Sequence, residues 1–364
     1  MSDIDNTQSF PDGLIPEDNN GGDNRNDRND RRRKKKSSKG KVAGIIIAII
    51  AILFIGSIGG GYLYVTHSLN NLNRVELNPK DLGINSQVEA ELDKFTGITN
   101  VVIFGVDEPT GTPGRSDTIM IATIDSNNDT LKLTSIMRDS YVNIPGYGMN
   151  KINAAYAFGG PQLALKTINE NYGMNLKYYV TQNFTTLPKL VNMLGGITVN
   201  LSQAEVHAMK APQGQLNQMF HENVPYIVTP GEHTLNGIQA MSYTRIRHGT
   251  GGDYARTYRQ RAVMQQIFTK IKAMHVTEMP ELVDQLLPTV QTNLSNSQIM
   301  SMGAKILKMG TATINQARLP LNQDSHGSMI SGQWYLVFNQ AKTNQQLHDF
   351  IFENKALPNE DLDT

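Results

Sequence analysis

Residues Asn100–Met137 read NVVIFGVDEPTGTPGRSDTIMIATIDSNNDTLKLTSIM. Three apolar runs stand out: Asn100 to Val106, Asp117 to Ile124 and Leu131 to Met137. Each is short and continuous, the pattern of a strand buried on both faces rather than one alternating between core and water. A loop containing Pro109, Gly111, Pro113 and Gly114 separates the first two. Asp125 to Asp129 links the second and third as a hairpin connection.

Working outward, helical spacing covers Lys151–Phe158, Pro161–Asn171, Thr185–Leu194, Tyr254–Met274, Glu278–Leu287 and Ser295–Met309. Pro161 suits a first helical turn. Short strands are expected at Tyr178–Gln182 and Ile197–Leu201. Strands and helices interleave, which argues for an α/β layered domain with helices covering a buried sheet.

Upstream the composition changes twice. Met1 to Asp30 is rich in Asp, Asn and Gly and is expected to stay disordered. Arg31 to Lys41 is strongly basic with no acid, closing a tail over residues 1–41. Residues 42–65 follow without a charge and are long enough to span a bilayer. Basic residues beside a span stay in the cytoplasm, so residues 42–65 are expected to be a transmembrane signal anchor with the rest of the chain outside. The apolar stretch is too long for a cleaved signal core, and the exit from Tyr62 to His67 offers no small-x-small cleavage pattern. Gly56 and Gly60 have the spacing of a helix-dimer motif. Residues 66–97, polar and carrying Pro79, read as an extracellular stalk with one short helical pattern near Gln87 to Phe95. The folded α/β domain is assigned to residues 98–315, and residues 316–364, with a strand at Trp334 to Phe338, form an extension without an assigned role.

The 33 basic and 33 acidic residues cancel over the chain, so net charge says nothing about partners. The absence of cysteine excludes thiolate catalysis, cysteine–zinc sites and disulfides. There is no GxSxG elbow, HExxH pair, P-loop or dinucleotide fingerprint. His207, His221, His233 and His248 lack ligand spacing and read as surface residues. Carboxylates and arginines remain. Asp107 closes the first strand and Asp117 opens the second, so a paired arrangement would let them share magnesium or manganese. Arg138 and Asp139 end the third strand, and Lys151, expected to open a helix, offers another cation.

Gly237 to Ile267 packs Arg245, Arg247, Arg256, Arg259 and Arg261 around a single carboxylate, Asp253. If Met241 to Ile246 is extended, Arg245 and Arg247 leave the same face. On the following helix the apolar stripe Val263, Ile267, Ile271 runs back to Gln260 and Arg256, which therefore face inward. Arg259 and Arg261 fall off that stripe and read as solvated. Arginine forks match phosphate oxygens, so a multiply anionic ligand such as a pyrophosphate is expected.

The ordered blocks GVD (Gly105–Asp107), RSDTIMI (Arg115–Ile121), RDSYV (Arg138–Val142), KINAAYAFGG (Lys151–Gly160), GGI (Gly195–Ile197), LNGIQAMSYTRIRH (Leu235–His248) and DYARTYRQR (Asp253–Arg261) resemble the LytR-CpsA-Psr family over Thr99 to Ile271 and on towards Met309. Met137 and Ser140 stand where that family usually has proline and threonine. The resemblance implies a layered α-β-α sandwich with a central mixed sheet and an apolar pocket for a polyprenyl chain, behind one transmembrane helix. It implies a Gram-positive cell-wall transferase moving teichoic acid, capsule or a similar glycopolymer from undecaprenyl pyrophosphate to a peptidoglycan hydroxyl. Carried over by position, Asp107 and Asp117 hold magnesium, while Arg138, Arg245, Arg247, Arg256 and Gln260 bind the pyrophosphate; Lys151 is added as a further cation and Arg138 with Asp117 as the catalytic pair. The alternatives are a lipid-pyrophosphate phosphatase and a non-catalytic envelope regulator. A nucleic-acid partner is not expected, since membrane topology accounts for the basic run.

Overall fold

Strands with no polar face need cover on both sides. The computed structural model describes residues 68–106, 114–183, 186–246, 252–274, 278–309 and 313–358. The chain enters through β1 (Asn73–Arg74) and α1 (Ser86–Leu92), then builds β2 (Ile98–Val106), β3 (Ser116–Asp125) and β4 (Thr130–Ile136). A hairpin of β5 (Tyr141–Ile144) and β6 (Gly148–Lys151) leads into α2 (Ala154–Tyr172), β7 (Tyr178–Asn183) and α3 (Thr186–Met193). Next come β8 (Ile197–Leu201), α4 (Gln203–Phe220) and β9 (Gly231–Leu235), then α5 (Gly237–Tyr243), α6 (Gly252–Ala273) and α7 (Met279–Leu286). β10 (Val290–Thr292), α8 (Asn296–Lys308), β11 (Thr313–Leu319), β12 (Ser325–Ile330), β13 (Gln333–Phe338) and α9 (Gln340–Phe352) complete it.

Seven described strands form one sheet in the order β1-β10-β7-β2-β3-β4-β11. β1/β10, β2/β7 and β4/β11 are parallel and the remaining pairs antiparallel, so the sheet is mixed. Register fixes the faces, because opposite residues point the same way. Val101, Ile103, Met120, Leu133 and Val180 meet Leu187, Ile238, Val263, Ile267, Leu282 and Ile306 on one side. Val102, Phe104, Ile119, Ile121 and Ile136 meet Leu165 and Ile168 of α2 and Leu347 and Ile351 of α9 on the other. The result is the expected α-β-α layering around a mixed sheet.

Several local expectations change. One holds: the two helical patterns on either side of Pro161 are two helical stretches of α2, broken at Gly159 and Gly160, whose non-helical backbone includes a φ of +61° at Gly160 that a side chain would resist. Lys151 ends β6 instead of opening a helix. From residue 68 onward the expected stalk is packed on the domain: Leu69, Leu72, Leu82 and Leu92 are buried, and β1 adds an edge to the sheet. The expected strand at Trp334 belongs to a separate hairpin, while β11, which runs across position 315, forms the sheet edge beside β4. The tail of residues 1–41 and the span of residues 42–65 lie outside the described residues, among which no helix is long and apolar enough to cross a membrane.

One ion pair crosses the second layer. Lys132 Nζ reaches Asp125 Oδ2 at 3.1 Å with both side chains fully buried, and also donates to the Ile351 carbonyl of α9 at 2.8 Å. Burial alone would raise the Asp125 carboxyl, but hydrogen bonds from Asn128 and Lys132 outweigh it and hold the group below its ordinary value. A depressed carboxyl contributes stability above its unfolded value, lost as pH falls through the folded one. Lys132→Ala, which strands a buried carboxylate, is expected to cost about 3 kcal/mol at pH 7. Thermal unfolding of both proteins as a function of pH checks this: the gap should narrow as pH falls through the ordinary carboxylate range toward the depressed value at which Asp125 protonates.

Candidate active site

β3 starts where β4 ends, since they run antiparallel with Ile119 opposite Ile136. Asp117 and Arg138 therefore meet at one sheet end. Arg138 Nη1 lies 2.7 Å from Asp117 Oδ1, and Arg138 Nε lies 3.3 Å from Asp139 Oδ2. Lys151 Nζ reaches the other Asp139 oxygen at 2.6 Å. Charge alternates through the four groups. The Asp117 and Arg138 side chains are 12% and 15% exposed, dry enough to strengthen the pairing yet reachable from solvent.

Backbone hydrogen bonds hold this cluster. Asn153 N donates to the Arg138 carbonyl at 3.2 Å, Ser116 N to the Asn153 carbonyl at 3.4 Å, and Ile152 N to Ser140 at 2.9 Å. β13 closes one side: Leu336 N donates to the Asp139 carbonyl at 2.9 Å. The Lys151 ammonium then lies 5.9 Å from the Trp334 ring centroid and 5.7 Å from that of Tyr335. Trp334 and Tyr335 were not expected at the site, and nothing local in the sequence marks them; only the docking of the hairpin brings them there.

The opposite side comes from α6. Thr118, next to Asp117, donates to Gln260 Oε1 at 3.3 Å. Arg256 lies one turn earlier on the same helical face, and both side chains are buried. Gln182 shares the row of Thr118 through Gly105, and neither of its buried amide atoms has a hydrogen-bond partner among the described residues. An alternating reading of β7 could have placed Gln182 on this face.

Arg245 is buried, but in the turn after α5 rather than on a strand. α5 forms because Asn236 and Gln239 make a reciprocal capping box. The extended spacing of Arg245 and Arg247 therefore fails as an argument. Asp107 and Arg247 lie outside the described residues. Arg259 and Arg261, expected in solvent, are buried: Arg259 Nε meets Glu205 Oε1 at 2.8 Å, and Arg261 Nη1 donates to Ser135 Oγ at 2.9 Å. Burial would raise the Glu205 carboxyl, but bonds from Arg259 and Ser202 outweigh this and lower it. α6 is enclosed by α4 as well as the sheet, so its inward arc is wider than one apolar stripe.

Among the described residues one His/Asp/Glu group is tight enough for a metal, His348, Asp349 and Glu353 on and beyond α9. Lys355 occupies it, at 3.3 Å from Asp349 and 2.6 Å from Glu353. The strand-end cluster, by contrast, brings two cations, Arg138 and Lys151, to one sheet end beside its carboxylates.

Residues 65–350 match the model of the LytR_cpsA_psr family. Regulatory protein MsrR of Staphylococcus aureus is 30% identical over 303 residues, covering 80% of this chain and 86% of that protein. The polyisoprenyl-teichoic acid–peptidoglycan teichoic acid transferase TagU of Oceanobacillus iheyensis is 32% identical over 263 residues, covering 70% of this chain and 76% of that protein. The fold also matches the structure of the LytR-CPS2A-psr family protein YwtF (TagT) with bound octaprenyl pyrophosphate lipid, with a TM-score of 0.52 and 26% identity over 70% of this chain and 91% of that one.

If the cluster holds an anion, Arg138→Ala should weaken inorganic pyrophosphate binding to the full chain in detergent by about tenfold or more, the worth of one charge-assisted hydrogen bond. Isothermal titration measures it, and unchanged affinity would remove Arg138 from the binding set.

Proposed function

The chain belongs to the LytR_cpsA_psr family, and we propose that it is a membrane-anchored extracellular phosphotransferase. It moves an anionic glycopolymer of the teichoic acid or capsule kind from undecaprenyl pyrophosphate to a peptidoglycan hydroxyl, leaving a phosphodiester. Residues 42–65 serve as the anchor, with the N-terminus cytoplasmic. The observation that carries this reading is the partly dry run of Asp117, Arg138, Asp139 and Lys151 at the strand ends. The names of TagU as a transferase and of TagT with a bound polyprenyl pyrophosphate support it.

Arg138 grips the pyrophosphate oxygens, Lys151 adds a point charge, and Arg245, Arg247, Arg256 and Gln260 line the helix side. The acceptor oxygen bonds to the sugar-proximal phosphorus while the bond from that phosphorus to the bridging oxygen breaks. Polyprenyl phosphate leaves. The hydroxyl proton passes to a carboxylate of the cluster, Asp117 or Asp139, both paired with Arg138. Guanidinium groups fixed in advance stabilise the charge that develops at phosphorus without reorganising.

The donor chemistry fits a hard divalent cation. Asp117 and Asp107 would hold magnesium or manganese. Asn153 Oδ1, buried and without a hydrogen-bond partner among the described residues, lies on the segment bonded to Ser116 and Arg138 and would offer a further oxygen. When bound, the cation offsets pyrophosphate charge.

Arg138→Ala and Asp117→Ala, each confirmed folded by circular dichroism, should lower glycan transfer by about a hundredfold or more, the scale of losing an oxyanion donor for the first and a catalytic carboxylate for the second. The assay uses the full chain, a polyprenyl-pyrophosphate saccharide and peptidoglycan, following the linked product. Wild-type transfer in either variant would sink the assignment. Saccharide phosphate released without linked glycan would favour the hydrolase, and no turnover by wild-type protein would favour the regulatory role that the name of MsrR suggests.

A further inference from the structure

A cavity of about 480 Å³ opens at the other end of the sheet, where β2 and β7 begin. β2 has nine residues, which puts this cavity about 26 Å from the strand ends that hold Asp117 and Arg138. The two sites are separate. The volume falls within the range of small-molecule sites.

Its walls differ in chemistry. Phe95 and Phe352, with ring centroids 5.2 Å apart, make an aromatic wall. Gln298, which donates to the Tyr178 hydroxyl at 3.1 Å, and Asn100 bring amide and hydroxyl groups to other parts of the lining. Two lysines also line it. Lys177 is committed to Glu89 at 2.7 Å. Lys305 Nζ has one contact, 3.4 Å to Thr99 Oγ1, and no carboxylate within ion-pair distance among the described residues. Asp93, the carboxylate in the lining, accepts from Asn175 at 3.2 Å.

Two tilted aromatic rings, uncharged hydrogen-bonding groups and one ammonium without an ion-pair partner together suit a sugar ring bearing a single acid. The apolar face of a pyranose packs on aromatic rings, its hydroxyls and acetamide suit amides and phenols, and its carboxylate suits a partly dried lysine. We propose that this cavity is a second, non-catalytic glycan site that binds an acidic amino sugar, with Lys305 reading its carboxylate. The proposal stands on the cavity alone; the transferase reading only suggests the probe.

The probes are N-acetylmuramic acid and N-acetylglucosamine, which differ by one lactyl carboxylate. Saturation-transfer NMR on the full chain in detergent should show saturable binding of both, with the acidic sugar about fivefold tighter, the worth of one partly solvated ion pair. Lys305→Met keeps the side-chain stem and should level the two affinities. Phe95→Ala should weaken both, and Arg138→Ala should change neither. Absence of saturable binding, equal affinities in the wild-type chain, or a preference that survives Lys305→Met would each overturn the proposal. Binding lost in Arg138→Ala would do so too, by placing the sugar in the strand-end site. Failure of transfer activity alone bears only on the transferase reading.

Discussion

Arg138 holds two carboxylates at once, Asp117 across the strand pair and Asp139 beside it. That double grip joins the start of β3 to the end of β4 and, through Lys151, to the end of β6. It sits there because the sheet leaves little other room. Helices cover both faces, so unpaired polar groups inside either layer would bear a full desolvation cost. Strand ends escape it. A guanidinium already desolvated and aligned by two anions gives up little conformational freedom when phosphate oxygens replace one of them, which is why the cluster is proposed as the anion site.

The same logic explains the gradient along the first layer. At the strand ends its inner face carries Gln182, Gly105 and Thr118, met by Gln260 of α6. Two residues further in, the row becomes Val180, Ile103 and Met120, all buried against apolar helices. Polar end and apolar interior are thus neighbours on one surface.

The sequence made the centre of this arrangement legible and its margins less so. β2, β3 and β4 were readable because burial on both faces leaves continuous apolar runs, and Asp117 and Arg138 followed from where those runs start and stop. Gln260 was readable from helical period. Arg259 and Arg261 were not, because a stripe argument assumes one buried face, whereas α6 meets Ser135 of the sheet on one side and Glu205 of α4 on another. Arg245 was placed on a strand although Asn236 and Gln239 carry a capping signal for a helix. Leu69, Leu72, Leu82 and Leu92 lie too far apart to show a period, so a packed segment read as a stalk.

Residues beyond 315 show how far a site depends on distant sequence. β11 pairs with β4 along its whole length, and Met137 N donates to the Leu319 carbonyl at 2.9 Å, fixing the backbone just before Arg138. The β12–β13 hairpin then bonds the Asp139 carbonyl and sets two aromatic rings near Lys151. α9 covers the second layer and accepts from the buried Lys132. These ties act on three separate features: the strand register before Arg138, the lysine that neutralises Asp139, and a buried charge in the core. An independent appendage would need none of them. The strand-end cluster is therefore assembled from both halves of the chain, with the N-terminal strands supplying its charges and the C-terminal segment holding them in place.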